Sequence, residues 1–449
     1  MTYRPRHQLS ALLLISLAFS TQALAQTPPP VPPGAPGTLI DLPSALRLAG
    51  DNNLDLALVR QSLVQAQASD NGAILRFFPW VAPGLGYASH NGALQDVTGN
   101  ILTTNKQLYT NNAAITAQVN LGEAIFEKLV ASQNLSAASY SVDARKNDTI
   151  ASAAYAYFEL VNATANVEIA QEALRISQDY EKQLGQAVSL GLTNKSDQLR
   201  VSVQSQRYQI DLRQVQESLR SAAANLAQIL HLDIKASLAP ADKIAPHVTM
   251  VPATLTLDNL VSDAFNARPE LKGSAASIAA ADFQRSEAIY GPLIPSVSAQ
   301  AVYGQIRGGI GNNLSPYRGA QDYALMLNWR IGPGGLFDFS RIDMADSKLE
   351  QSHLNDTKLR DEVTRQVVTA YEAVQSASDQ TKLAESSLAL AQQSLTLSQQ
   401  RREFGVAAVL EVIQAQKDFT QARIDFAKAR TQFAEAQYAL ARASARMGN

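Results

Sequence analysis

Two acidic residues stand at matching places in the two halves of the chain. Asp197 follows Gly191 by six positions, and Glu411 follows Gly405 by six positions. Each pair lies in a short break between two very long helix-forming tracts. A carboxylate just after a turn is stabilised by the dipole of the helix that begins there, and several carboxylates gathered around one axis attract cations. The spacing therefore indicates an electrostatic role, either as a helix start or at a constriction.

No catalytic group of residues is visible. The five histidines lack metal-ligand spacing, and there is no phosphate-binding loop or nucleophile elbow. We therefore expect no enzyme activity, no cofactor and no metal site. The net charge of −2 excludes a nucleic-acid binder that relies on bulk positive charge. The absence of cysteine excludes disulfides and a lipidated N-terminal cysteine.

The N-terminal segment has the pattern of a secretory signal peptide. Arg4 and Arg6 precede the apolar run Leu9–Phe19, and Ala23–Ala25 fits an A-x-A cleavage site. We predict a signal peptide over residues 1–25 and a proline-rich mobile leader over residues 26–38. The apolar run is too short for a membrane anchor, and no later stretch is long enough for a transmembrane helix.

The remaining chain is an ordered internal repeat. The segment Asn53–Leu56 matches Arg268–Leu271, and Gly191 matches Gly405 at almost the same offset along the chain. An ordered set of matches with nearly constant offset indicates duplication. We predict a first repeat at 39–232, a proline-punctuated connector at 233–256 and a second repeat at 257–449, each repeat holding a helix, a β-hairpin and a long helical hairpin.

The helical tracts are unusually long. Residues 123–187 contain no proline and one glycine, which predicts a helix of about 100 Å. The other predicted helices cover residues 44–76, 197–231, 336–402 and 409–446. The tracts are rich in Ala, Ser and Gln and lack a strongly apolar stripe. This composition favours a hollow, wetted tube over a solid bundle.

Each repeat also contains alternating segments. Ala113, Ile115, Ala117 and Val119 share one face of a predicted strand, and polar residues occupy the other face. We predict one hairpin from Trp80–His90 and Thr110–Asn120 around a loop at Asn91–Asn105, and a second from Val297–Tyr303 and Tyr323–Ile331 around a loop at 304–321. Such alternation suits a lipid-facing barrel strand or a sheet packed on helices. Four strands cannot close a barrel, so a membrane location requires several protomers.

With these features together, the chain resembles the TolC-like outer-membrane efflux protein family over residues 39–447. The matching segments are Asn53–Leu56 with Arg268–Leu271, Phe77–Pro79 with Leu293–Pro295, the exit at Trp329–Gly335 and the two glycine turns. The resemblance implies a mainly α fold with a small antiparallel β part. It implies a homotrimer in the outer membrane, in which four strands per protomer share one transmembrane β-barrel and the hairpins form a periplasmic α-barrel.

The resemblance also implies a function and its residues. Substrates delivered by an inner-membrane pump and a periplasmic adaptor would leave passively, in tripartite efflux or type I secretion. The adaptor would dock on two turns, Leu190-Gly191-Leu192 and Phe404-Gly405-Val406. Glu411 matches an acidic position that lines the aperture, and the next family acid is replaced by Gln414. Asp197 matches an acidic member of a link that closes the tip. Its basic partner appears here as Ala407, so we hypothesise that Arg402, or else Arg401, takes that place.

Two other classes compete with the channel. The first is a periplasmic coiled-coil adaptor or structural protein without a membrane barrel, and the weaker second is a secreted helical enzyme. The strand hairpins favour the channel, because an adaptor needs neither lipid-facing alternation nor the duplication. The sequence does not indicate the cargo.

Overall fold

The computed structural model describes residues 38–191, 193–234, 238–252, 254–404 and 408–447. The predicted signal peptide and most of the predicted leader lie outside these ranges. The described chain is mainly helical with one curled antiparallel sheet, which confirms the predicted fold class.

The elements of the first half are β1 (Thr38–Ile40), α1 (Leu42–Asn52), α2 (Leu54–Leu75), β2 (Trp80–Gln95), β3 (Ile101–Asn120), α3 (Leu121–Ser189) and α4 (Lys195–Ile229). Those that follow are β4 (Leu238–Pro240), α5 (Leu257–Ala267), α6 (Pro269–Tyr290), a short 3-10 turn (Gly291–Leu293), β5 (Ser296–Ile310), β6 (Asn313–Leu314), β7 (Arg318–Asn328), α7 (Phe339–Glu403) and α8 (Val409–Ala443). The order helix, hairpin, long helical hairpin therefore occurs twice.

The predicted single helix over residues 44–76 is wrong, because the chain breaks at Asn53. The Asn53 side chain accepts a hydrogen bond from the Leu56 N–H at 3.0 Å and donates one to the Ile229 carbonyl at 2.9 Å. An asparagine that caps a new helix in this way competes with continuation of the old one. In the second repeat Pro269 opens α6, because proline suits the first helical turn. The repeated tetrapeptide is therefore a helix break.

Both predicted hairpin loops are too long. The predicted loop at Asn91–Asn105 is largely strand, and the turn itself is closed by Asp96, whose carboxylate accepts from the N–H groups of Thr98 (2.9 Å) and Asn100 (2.8 Å). The second predicted loop, 304–321, holds the end of β5 and the start of β7. Polar residues can continue these strands because the hydrogen bonds between paired strands are made by the backbone and not by the side chains. In contrast, β7 ends at Asn328. The prediction that Trp329 and Ile331 are strand residues is therefore wrong.

The sheet runs in the order β2-β3-β5-β7, all antiparallel, with β6 paired to the end of β5. Residues directly opposite each other share a face. The register thus places apolar residues together on one face of the sheet, in the half nearest the helices. Its members are Val81, Pro83, Leu85, Ala113, Ile115, Ala117, Val297, Ala299, Tyr303, Tyr323, Leu325 and Leu327. The opposite face carries Thr110, Asn112, Thr116, Gln118, Ser298, Gln300, Asp322 and Asn328.

The helices form two rows of four. Near the sheet, α2, α3, α6 and α7 lie side by side in that order, and toward the hairpin turns the order is α4, α3, α8, α7. Helices α3 and α7 belong to both rows. No helix of the described ranges combines the length and apolarity that a membrane span requires.

The largest buried cluster surrounds the middle of α3, where β1 pairs with β4 and α1 packs on α3. Tyr157, Phe158 and Leu160 are fully buried there. At the junction of α5 and α6, Arg268 is only 3% exposed and bonds Glu270 and Gln366 at 2.8 Å each. Arg442 of α8 joins the same Gln366 at 3.0 Å and also donates to Asp148 of α3 at 2.6 Å, so polar contacts connect the two repeats at this level.

The joint between sheet and helices requires two glycines in contact. A Cβ atom at Gly122 of α3 would collide with the backbone of Gly291. We expect Gly122→Ala to lower the free energy of unfolding by about 1–3 kcal/mol, because overpacking forces the backbones apart. The matched control Gly50→Ala, in α1, meets nothing within 4 Å. It should raise stability by about 0.5–1 kcal/mol. Denaturation of the purified variants measures both, and equal effects would contradict the close contact.

Candidate functional site

The first turn ends α3 with a left-handed glycine. The N–H groups of Leu190 and Gly191 donate to the carbonyls of Gln186 (3.1 Å) and Val188 (3.0 Å). Gly191 has φ +72°, a conformation that glycine adopts without strain and that commonly stops a helix. Leu190 is 72% exposed. Leu192, the third predicted docking residue, lies outside the described residues.

The second turn follows Glu403 at the end of α7. The Phe404 N–H donates to the Gln400 carbonyl at 3.2 Å, and its ring is 83% exposed. Gly405 and Val406, predicted to dock the adaptor, lie outside the described residues, as does Ala407. The described parts of both turns thus present one large apolar side chain to solvent, Leu190 or Phe404.

A small apolar cluster holds the two hairpins together just above the turns. Leu184 of α3, Val201 of α4 and Val409 of α8 are buried against one another, with Tyr180 and Ile413 partly buried beside them. We call these five residues the tip cluster. Because α3 and α4 belong to the first repeat and α8 to the second, the cluster fixes the position of one turn relative to the other.

The predicted gate residues form local pairs. Asp197 lies 3.6 Å from Arg200, and Arg401 lies 3.5 Å from Glu411. Gln414 donates to Asp418 at 2.7 Å. Exposed pairs of this kind contribute about 0–1 kcal/mol each. The structure therefore brings Glu411 to Arg401, and it does not bring Asp197 to Arg402.

Arg402 instead lines a cleft of about 290 Å³ between the hairpins. The cleft, here the inter-hairpin cleft, is bordered by Ile176, Ser177, Asp179, Tyr180, Gln183, Val201, Gln204, Tyr208, Gln399, Arg402, Val412, Ile413 and Gln416. The sequence alone did not predict this site. The only signal in the sequence was a concentration of Tyr, Gln and Ser in the helices near the turns, of which Ser177, Tyr208 and Gln416 are buried.

A carboxyl pair lies farther from the turns. Burial, and then the nearby carboxylate of Glu159, raises the pKa of Glu435 on α8 to about 7. Both effects disfavour the charged form. Glu435 also lines a shallow depression with Tyr155. In the described ranges, no group of His, Asp or Glu is arranged to hold a metal ion.

These features define a class of protein: a duplicated protomer with a lipid-compatible sheet at one end and paired helical turns at the other. Residues 260–446 match the profile of the outer membrane efflux protein family. No curated protein matches the chain. The family match covers less than half of the chain; it confirms the resemblance found in the sequence and supports the prediction that the chain is not an enzyme.

Solved structures share the fold over nearly the whole chain. A membrane protein from Pseudomonas aeruginosa is 17% identical, with a TM-score of 0.78 over 90% of this chain and 92% of that one. The CmeC outer membrane channel of Campylobacter jejuni is 15% identical, with a TM-score of 0.76 over 90% and 85% of the two chains. VceC from Vibrio cholerae is 17% identical, with a TM-score of 0.73 over 90% and 95%. The likeness to these structures shows the fold of the chain.

The tip cluster predicts a local response to mutation. Leu184→Ala removes a buried side chain, and large-to-small core changes of this kind cost about 2–5 kcal/mol. Because the cluster is small, we expect the loss to appear as faster amide exchange in α3 and α4 near the turn, with the rest of the chain little changed. Leu190→Ala, which truncates an exposed leucine, is the control. Exchange followed by mass spectrometry measures this; equal rates in the two variants would contradict a packed tip.

The raised pKa of Glu435 predicts a dependence of stability on pH. In the folded chain this carboxyl binds its proton up to about pH 7, whereas the unfolded chain releases it near 4.5. Stability therefore falls as pH rises from about 4.5 to about 7. We expect Glu435→Gln to stabilise the protein by about 1–3 kcal/mol at pH 8 and hardly at all at pH 4. Thermal unfolding at both pH values measures it, and a gain independent of pH would contradict the assignment.

Proposed function

We propose that the chain is one protomer of a homotrimeric channel-tunnel of the outer membrane. Substrates delivered by an inner-membrane pump through a periplasmic adaptor would leave through it passively, in tripartite efflux or type I secretion. The observation that carries the proposal is that every layer of the protomer is an open row of four elements.

The sheet supplies the first open row. Strands β2 and β7 form its two edges, and in the described chain each is paired on one side only. In lipid an unpaired backbone polar group costs several kcal/mol, so open edges are not tolerated there. Pairing β2 of one copy with β7 of the next removes the edges. Three copies of a four-stranded sheet give a barrel of twelve strands.

The hairpin helices supply the second open row. Although the helices lack a strongly apolar stripe overall, the two at the ends of the row carry narrow apolar stripes. On α4, Leu199, Val203 and Ile210 are more than half exposed. On α7, so are Leu383, Leu390 and Leu397, which recur with a heptad spacing that Phe404, just past the end of α7, continues. A heptad repeat of apolar residues is typical of a helix that packs along another helix. The stripes differ in sequence, so copies would join head to tail, which closes into a ring.

The two stripes also match in height above the turns. Ile210 lies roughly four helical turns above the start of α4 at Lys195, and Leu390 lies at a similar height above the end of α7 at Glu403. Val203 and Leu397 both lie roughly two helical turns from the same ends. In all three layers, moreover, one side of the protomer is made by the first repeat (β2, α2, α4) and the other by the second (β7, α7). A single interface between neighbouring copies would therefore close the sheet and both rows of helices into rings.

The faces of the sheet support a membrane location. Leu85, Tyr323 and Leu325 on the apolar face are largely exposed in the protomer, which is costly in water and favourable in lipid. Trp329, Phe337 and Phe339 are exposed near the helical end of the sheet, where an aromatic girdle is expected. The polar face would line a hydrated passage.

The turns would form the periplasmic tip. Leu190 and Phe404, both exposed, are the described candidates for adaptor docking. In a trimer Glu411 would occur three times around the axis, each copy partly neutralised by Arg401, with Gln414 one turn further on. A link between Asp197 and Arg402 would require Asp197 to leave Arg200, and it stays a prediction for another state of the tip.

Cysteine crosslinking tests the assembly, because the chain contains no cysteine. We expect Ile210→Cys combined with Leu390→Cys to give covalent dimers and trimers on oxidation, in the outer-membrane fraction and with nothing larger. The control pairs Ile210→Cys with Gln392→Cys, which lies on the far side of α7. Non-reducing electrophoresis of the heat-modifiable species measures the ladder. A monomer confined to the soluble periplasm would support the competing adaptor function instead, and a ladder beyond three would exclude a closed trimer.

A further inference from the structure

We infer that the inter-hairpin cleft is a binding site for a small aromatic or aliphatic carboxylate that also carries a hydrogen-bond donor. All four helices of the two hairpins contribute to it: α3 through Tyr180, α4 through Val201, α7 through Arg402 and α8 through Val412 and Gln416. A volume of about 290 Å³ is at the lower limit of ligand pockets, which span about 300–1,000 Å³. The site therefore suits a compact molecule.

The cleft contains buried polar atoms without partners. Gln416 is only 7% exposed, and its Oε1 atom accepts no hydrogen bond from any described residue. Its Nε2 atom is used, at 3.4 Å from the Thr420 hydroxyl. The buried hydroxyl of Tyr180 also lacks a partner in the described part of the chain. Buried polar atoms are nearly always paired, so these two indicate a missing partner.

The charge of the cleft selects an anion. Among the described residues, no carboxylate pairs with Arg402. The other charged residue in the lining, Asp179, already lies 3.2 Å from Arg175. One guanidinium is therefore left over, and guanidinium groups bind carboxylates through two parallel hydrogen bonds. The preceding residue, Arg401, differs because Glu411 lies beside it.

One part of the lining is apolar, and the remainder carries uncharged polar side chains such as Ser177 and Gln204. Val201 and Val412 are buried, and Ile413 is partly buried. A ligand that fits would place a carboxylate at Arg402, a donor at the Oε1 atom of Gln416 and an apolar body against the valines. A benzoate ring with an amino group has this combination, so 4-aminobenzoate is the probe of choice.

Such a ligand would contact both hairpins at once. Arg402 and Gln416 belong to the second hairpin, and Tyr180 belongs to the first. Bound ligand would therefore favour the described arrangement of the hairpins over any arrangement that separates them, in proportion to its difference in affinity for the two. The effect on conductance rests on the proposed channel function, whereas the binding itself does not.

Binding of 4-aminobenzoate to the detergent-solubilised protein, followed by saturation-transfer NMR and equilibrium dialysis, tests the site. We expect Arg402→Gln to weaken binding about tenfold or more, because a charged hydrogen-bonded pair is lost. Arg401→Gln should leave the affinity unchanged. The neutral methyl ester of the probe should bind the native protein as weakly as the carboxylate binds the Arg402 variant.

A second comparison tests the hydrogen bond to Gln416 separately from the charge contact at Arg402. Gln416→Leu should weaken binding of 4-aminobenzoate but not of benzoate, which has no donor for the Oε1 atom. Each variant is first shown to keep the native melting temperature. Absent binding to the native protein, or equal loss with Arg401→Gln and Arg402→Gln, would overturn the proposal. In planar bilayers the probe should lower the conductance of the native protein more than that of Arg402→Gln. A protein that binds the probe but conducts nothing would refute the channel and leave the site standing.

Discussion

The arrangement of this chain depends on one constraint, the backbone hydrogen bonds that β2 and β7 leave open at the edges of the sheet. A water-soluble sheet can hydrate such edges, but a sheet with an apolar outer face in lipid cannot. The open edges also set the order of the helices, because α3 follows β3 directly and α7 follows β7 after a short turn. The row of helices below the sheet consequently has two open ends, as the row of strands does.

Packing is distributed unevenly along the helices. The middle of α3 is surrounded by aromatic and aliphatic side chains, and nearby Asp148 on the same helix accepts a hydrogen bond from Arg442. The hairpin ends have only the tip cluster and the inter-hairpin cleft among the described residues. Local stability follows buried apolar contact, so the turns belong to the part of the chain that opens at least cost. The same helices thus combine loosely packed turns with a tightly packed middle.

Much of this fold was predictable from periodicity, because long proline-free tracts and alternating strands leave a strong local signal. The nearly constant offset between the two halves also placed the second turn. The errors lie where backbone or capping overrides composition: Asn53 breaks a helix by capping, and polar residues beyond His90 extend a strand. At the site, the sequence identified Asp197 and Glu411 as acids after turns. It did not identify their partners Arg200 and Arg401, since exposed ion pairs are chosen by small differences in geometry. The inter-hairpin cleft depends on contacts between distant segments, which periodicity does not encode.

Helix α3 runs without a break from the glycine contact at Gly122 to the first turn, and the whole helix has 69 residues. At about 1.5 Å per residue it is an arm of about 100 Å. Its near end rests on Gly291, where two bare backbones touch and no side chain interlocks. Its middle, at Phe158, is held in the largest buried cluster, so only the part beyond that point, roughly 46 Å long from Phe158 to Ser189, is free to swing. Each degree of tilt about the cluster displaces the first turn by about 0.8 Å on that arm length. The position of the cluster along α3 therefore sets how far the turn moves for a given tilt.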